Sequence, residues 1–98
     1  MKKDLQIAKK TIETEIQALK KLSLSFNRSS NFSKAVNLLS KMKGKCLVVG
    51  VGKSYLVSLK VSASLSSLGT PSVAFSANDL HHGGLGVIQK KNDVLLIF

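Results

Sequence analysis

The sequence predicts an α/β fold, an N-terminal helical pair followed by the first strands of a parallel β-sheet. Three observations carry this. Apolar residues before position 44 recur at spacings of three and four, the helical period. A β-branched run, "KCLVVG" at 45–50, then passes through a glycine turn into a second helical stretch. Two further short apolar runs follow, "PSVAF" at 71–75 and "DVLLIF" at 93–98.

Leu5, Ala8, Ile12, Ile16, Leu19, Leu22 and Phe26 fall on one helical face, with Lys9, Lys10, Lys20 and Lys21 largely on the other. A helix is expected from about 3 to 25. "NRSSN" at 27–31 is a turn whose Ser and Asn side chains suit the cap of the next helix. Phe32, Ala35, Val36, Leu39 and Met42 repeat the pattern, and Gly44 supplies a stop. Residues 1–43 are therefore read as a helical pair and 44–98 as the sheet-bearing part.

"KCLVVG" suits a buried strand of a parallel sheet. From Ser54 to Leu68 the pattern is helical again, through Leu56, Val57, Leu59, Val61, Ala63 and Leu65, and Gly69 and Pro71 end it. With "PSVAF" as the second strand, this is a strand–helix–strand unit, for which a right-handed crossover is expected. "DVLLIF" is the third strand. The connection between the last two strands, "SANDLHHGGLGVIQKKN" at 76–92, is long and holds both histidines and three glycines. Connections of that length are commonly functional.

Ninety-eight residues allow one small domain. The apolar runs are too short to span a membrane, and the start, "MKKDLQIAKKTIETE", lacks the apolar core of a secretory signal. A cytoplasmic location follows as the expectation. Net charge is +10, but residues 1–45 hold eleven basic side chains against three acidic, and residues 46–98 four against two. Arg28 is the sole arginine among fifteen basic residues, and aromatic residues are sparse. Base readout favours arginine forks and stacking needs aromatic rings, so a solvated helix face is expected and no specific nucleic-acid partner. Cys46, the single cysteine, sits among apolar neighbours and reads as a packed core thiol. Three strands and one crossover helix leave a sheet face poorly covered, which points to the front part of a longer domain.

A strand, a glycine turn and a helix in that order commonly meet a phosphate. A nucleoside triphosphate loop needs a glycine five residues before Gly52, where Leu47 stands inside the strand. A dinucleotide fingerprint needs a third glycine where Tyr55 stands. A sugar phosphate remains. Backbone N–H groups at the turn and the mobile cation of Lys53 suit its anion.

"GKCLVVGVGKS" at 44–54, "SLGTPSVAF" at 67–75 and "DLHHGGLGVIQKKNDVLLIF" at 79–98 resemble the front half of a sugar isomerase (SIS) domain. The pattern is most similar to the arabinose-5-phosphate isomerase family, with Gly-x-Gly-Lys-Ser-Gly, then Ser/Leu-x-Gly-Thr-Pro, then His-Gly-Asp-Leu-Gly. The resemblance implies a three-layer α/β/α, flavodoxin-like fold with a five-stranded parallel sheet, and commonly a homotetramer. It implies a cytoplasmic, metal-independent isomerase, without cofactor, interconverting ribulose 5-phosphate and arabinose 5-phosphate on the route to the lipopolysaccharide sugar Kdo. By position, Lys53 and His82 match its catalytic lysine and histidine, and Gly50, Gly52, Lys53 and Ser54 its substrate-binding turn.

The chain departs from the family pattern at Tyr55, in place of Gly, and at Gly84, in place of Asp. The family's Ser-rich phosphate loop and its later glutamates and histidine fall beyond the matching region. Isomerisation through an enediol needs a base beside the C–H bond, and Glu13, Glu15, Asp79 and Asp93 are poorly placed for it. Residues 1–98 are therefore expected to be inactive alone. The rival readings are a phosphosugar-binding regulatory module without catalysis and a purely structural partner. His81 reads as a bystander, Tyr55 as a pocket wall, and a His81–His82 metal pair is not expected because adjacent side chains diverge.

Overall fold

A computed structural model describes residues 2–28 and 30–98. One compact unit ends at Ala35 and a second is Val36–Phe98. The first is dominated by α1, Lys2–Ser25, followed by a 3-10 turn at Phe26–Arg28. Along α1, Thr11 and Thr14 donate their hydroxyls to the Ile7 and Lys10 carbonyls at 2.9 Å, and Lys9 and Glu13 approach to 4.0 Å. No residue of α1 is buried, so Leu5, Ile12 and Leu19 present their apolar face outward. The Phe26 and Phe32 rings meet edge to face, 4.9 Å between centroids. The second helix, α2, spans Asn31–Lys41. Its first turn is closed by the Lys34 N–H donating to the Ser30 carbonyl at 3.1 Å. Of the turn residues whose side chains suit its cap, Ser29 lies outside the described residues.

The second unit holds β1 (Cys46–Gly50), α3 (Lys53–Ser67), β2 (Ser72–Ser76) and β3 (Val94–Ile97). The strands form one parallel sheet in the order β2-β1-β3, with Cys46 facing both Ser72 and Val94 in register. β1 is central. Alternate side chains of a strand point to opposite faces, and Cys46, Leu47, Val48 and Val49 are all buried, so β1 is covered on both. No helix among the described residues is long and apolar enough to cross a membrane.

The helix α3 packs on β1 and β2, with only Val61 and Leu65 of its apolar pattern half-buried on the packed face. Its buried residues are Ser58 and Ser62, while Leu56, Val57, Leu59 and Leu68 are exposed. Ser54, Ser58 and Ser62 share a face at a spacing of four, and small side chains let the helix lie close to the sheet. The hydroxyl of Ser58 donates to the Ser54 carbonyl at 2.8 Å, which meets its polar requirement within the helix. Gly69, at φ +95°, ends the helix as the sequence suggests.

The connection from β2 to β3 carries more order than a plain loop. It contains 3-10 helices at Ala77–His82 and Gly84–Val87, joined by Gly83 at φ +103°. Only the freedom of glycine allows that hinge cheaply.

Candidate functional site at the carboxyl edge of the sheet

Ligands in open parallel sheets bind beyond the carboxyl ends of the strands. Here that edge is built by Gly50 through Ser54. A Cβ on Gly50 would stand 2.5 Å from the Ser54 carbonyl carbon and 2.8 Å from the Tyr55 nitrogen. Glycine is thus what lets the first turn of α3 close over the strand end. Gly52 plays a different part, with φ +58° at the helix entry and open space where a side chain would be.

Lys53 opens α3 and is exposed, and Ser54 behind it is half-buried. Among the described residues no side chain caps this helix. The Ser54 and Tyr55 N–H groups donate to the Val51 and Gly52 carbonyls, each at 3.0 Å, which sets the turn. A helix start without a side-chain cap, next to an exposed ammonium, favours an anion. The substrate-binding residues read from the sequence therefore fall in one turn.

His82 belongs to another element, the segment that follows β2. Gly50 and Ser76 are register partners, so the segment Ala77–His82 leaves β2 beside the Gly50 turn. His82 is exposed at the end of that segment, and among the described residues no hydrogen bond or ion pair joins it to Lys53. His81 is likewise exposed. No group of three or more His, Cys, Asp or Glu side chains among the described residues is arranged to hold a metal ion. Gly84 is buried, and a Cβ there would sit 3.0 Å from the Asp79 carbonyl oxygen and 3.3 Å from Leu80 Cδ2. A side chain would fit tightly here, where the resembling pattern carries an aspartate.

The acids are held away from the turn or exposed. Glu13 and Glu15 are exposed on α1, and Asp79 is exposed in the segment after β2. Asp93 precedes β3 at the opposite, amino edge of the sheet. Its carboxylate accepts from Lys45 Nζ at 2.8 Å, from the Lys45 N–H at 2.9 Å and from the Gln89 N–H at 2.8 Å. These bonds, the Lys45 ammonium first, hold its carboxyl down at about 2, so it stays ionised and engaged. Burial pushes the Cys46 thiol up, as befits a core group rather than a nucleophile.

The Lys45–Asp93 pair escapes a reading of the sequence alone. Its trace there is an opposite charge immediately before two apolar strands. That becomes a contact only once β1 and β3 are known to be adjacent, parallel and paired Cys46 to Val94.

No protein-family model matches the chain. It is 40% identical over 90 residues to the arabinose 5-phosphate isomerase KdsD of Pseudomonas aeruginosa, covering 92% of this chain and 27% of that protein. A probable arabinose 5-phosphate isomerase of Haemophilus influenzae is 33% identical over 93 residues, covering 95% of this chain and 27% of the relative. The chain thus spans about a quarter of the length of these relatives. An Escherichia coli CFT073 protein solved in complex with arabinose 5-phosphate superposes with a TM-score of 0.79 at 29% identity, over 95% of this chain and 48% of that one. A putative phosphosugar isomerase from Bacteroides fragilis gives a TM-score of 0.64 at 29% identity, over 89% of this chain and 48% of its own. In sequence and in fold, the chain resembles the N-terminal part of the arabinose 5-phosphate isomerase family.

Proposed function

We propose that this chain supplies the phosphosugar-facing front of an aldose–ketose isomerase acting on ribulose 5-phosphate and arabinose 5-phosphate, a step toward the lipopolysaccharide sugar Kdo. The observation that carries the reading is the Gly50–Ser54 turn at the carboxyl edge of the sheet, within a chain similar to such isomerases. In this reading the turn receives the sugar phosphate, with Gly50, Gly52, Lys53 and Ser54 as its binding residues. Lys53 and His82 are the catalytic candidates. The ammonium of Lys53 stabilises charge on a sugar oxygen as the enediol forms, and His82 donates a hydrogen bond to the sugar without serving as the base for its C–H proton. The protein works in the cytoplasm as a homo-oligomer, a tetramer in the resembling family.

Residues 1–98 alone bind the sugar phosphate without converting it. Proton transfer between neighbouring carbons needs a base placed against the C–H bond, and Asp93, whose carboxylate Lys45 holds, is ion-paired at the opposite edge. Titration with ribulose 5-phosphate, followed by amide NMR, is expected to move Gly50, Gly52 and Lys53 first, and Lys53→Ala is expected to abolish those shifts. Shifts confined to the lysines before Cys46 would refute the site. Turnover by this chain, lost in Lys53→Ala, would refute its inactivity.

A second reading, a regulatory module that binds a phosphosugar without chemistry, is favoured by Gly84. The backbone there leaves tight quarters for the acid that the family pattern carries. Saturable binding without turnover by the complete gene product would favour it over the isomerase.

A further inference from the structure

The segment that carries His82 must travel the height of the sheet, from the carboxyl end of β2 to the amino end of β3. Its own structure is two short 3-10 turns. The second is closed by the Gly86 N–H donating to the Gly83 carbonyl at 3.1 Å and the Ile88 N–H donating to the Leu85 carbonyl at 3.3 Å. Such turns have poor hydrogen-bond geometry and hold their shape weakly. What fixes the far end is a cluster at the entry to β1. Lys45 Nζ donates to the Val87 carbonyl at 2.9 Å and to Asp93 Oδ2 at 2.8 Å. The same oxygen accepts from the Gln89 N–H, and Asp93 Oδ1 accepts from the Lys45 N–H. The Gly44 N–H donates to the Asn92 carbonyl at 2.8 Å, and any Cβ on Gly44 would collide with the Asp93 carboxylate. The Asp93 side chain is 1% exposed. The carboxylate is thus shielded while the Lys45 side chain stays 23% exposed, and charge-assisted bonds of this kind are stronger than neutral ones.

We propose that Lys45 is a positioning residue for the His82 segment. Its ammonium grips the Val87 carbonyl, the last residue of the second 3-10 turn, while its charge holds Asp93, which in turn holds the Gln89 N–H. One cation therefore fixes two points of the segment against the central strand, from the sheet edge opposite Lys53. The role for His82 rests on the isomerase reading above; the grip on the segment does not.

The test is amide hydrogen exchange with NMR on the whole chain, in the native protein, Lys45→Met and Lys45→Arg. In Lys45→Met, exchange at Gly86 and Ile88 is expected to accelerate at least about tenfold, with Val48 and Val49 of β1 unchanged. The His82 imidazole resonances should broaden or shift in the same variant. Lys45→Arg should restore both, since a guanidinium supplies donors for the same carbonyl and carboxylate. If Lys45→Met unfolds because Asp93 is left buried and unpaired, Lys45→Met/Asp93→Asn removes that charge and is read in the same way. Unchanged exchange at Gly86 and Ile88, or equal acceleration throughout β1 and α3, would overturn the proposal, as would a folded Lys45→Arg whose segment stays fast. A separate arm titrates the native chain with ribulose 5-phosphate. If the segment loosens as expected while His82 ignores the sugar, the positioning stands and the isomerase role of His82 falls.

Discussion

Gly50 and Gly52 stand two residues apart and are needed for different physical reasons. At Gly50 the obstacle is space, because the Ser54 carbonyl and the Tyr55 nitrogen occupy the volume of a Cβ. At Gly52 the space is open and the obstacle is the backbone, held at φ +58°. Gly50→Ala is expected to cost about 1–3 kcal/mol through overpacking, and Gly52→Ala a similar amount, about 1–3 kcal/mol, through backbone strain. Chemical denaturation checks both, and NMR separates them. Gly50→Ala should displace the first turn of α3, whereas Gly52→Ala should leave α3 in place. Asp93 makes a prediction of another kind. Its carboxyl titrates near 2 in the fold, below its ordinary value of 3.8. A lowered carboxylate adds stability that is fully present above the ordinary value and is lost as pH falls through the folded one. Stability should therefore fall between about pH 4 and pH 2. Asp93→Asn should flatten that part of the curve, read by denaturation at a series of pH values, and an unaltered slope would contradict the ion pair.

The elements were legible in the sequence to unequal degrees, and α3 shows why. Its length, its glycine stop and its place after a glycine turn follow from the residues between Cys46 and Pro71. Which side faces the sheet does not, because leucines and valines lie all around it. Close approach to the strands selects Ser58 and Ser62, and apolar periodicity has no means of registering that preference. Ser58→Leu should consequently destabilise the fold by about 1–3 kcal/mol. Leu56→Ser, on the exposed side, should change stability by no more than about 0.5 kcal/mol. Thermal or chemical unfolding decides between the two faces, and the reverse ranking would return the leucine face to the sheet. The turn at Gly50–Ser54 was readable because glycine, lysine and serine are contiguous there. The seat of Asp93 was not, since it joins residues 48 positions apart through a register that only the assembled sheet defines.

At the scale of the whole molecule, the contrast lies between what is buried and what is left out. Among the described residues the buried apolar core is Cys46, Leu47, Val48 and Val49, all on one strand. Against it, among the described residues, 22 large apolar side chains are at least 40% exposed, from Leu5 to Phe98, more than scattered surface residues would account for. A core of that size offsets little of the conformational entropy of 98 residues. The exposed groups are also ordered along elements. Leu5, Ile12 and Leu19 line α1, Leu56, Val57 and Leu59 mark α3, and Leu95 and Ile97 stand on one face of β3, at the sheet edge. Burial of such faces against other protein surface is the dominant favourable force open to this chain. In solution it should therefore bind an apolar dye and associate with copies of itself. Its sedimentation coefficient and helical circular dichroism should both rise over about a hundredfold increase in concentration. Charge sets the direction of the salt response. With a net charge of +10, copies repel at low ionic strength, and added salt screens that repulsion, so association should strengthen with salt. Ile12→Glu/Leu19→Glu should weaken association by placing acids on the apolar face of α1. A monomer with no dye binding, sharp cooperative melting and no dependence on concentration or salt would show that these faces need no cover.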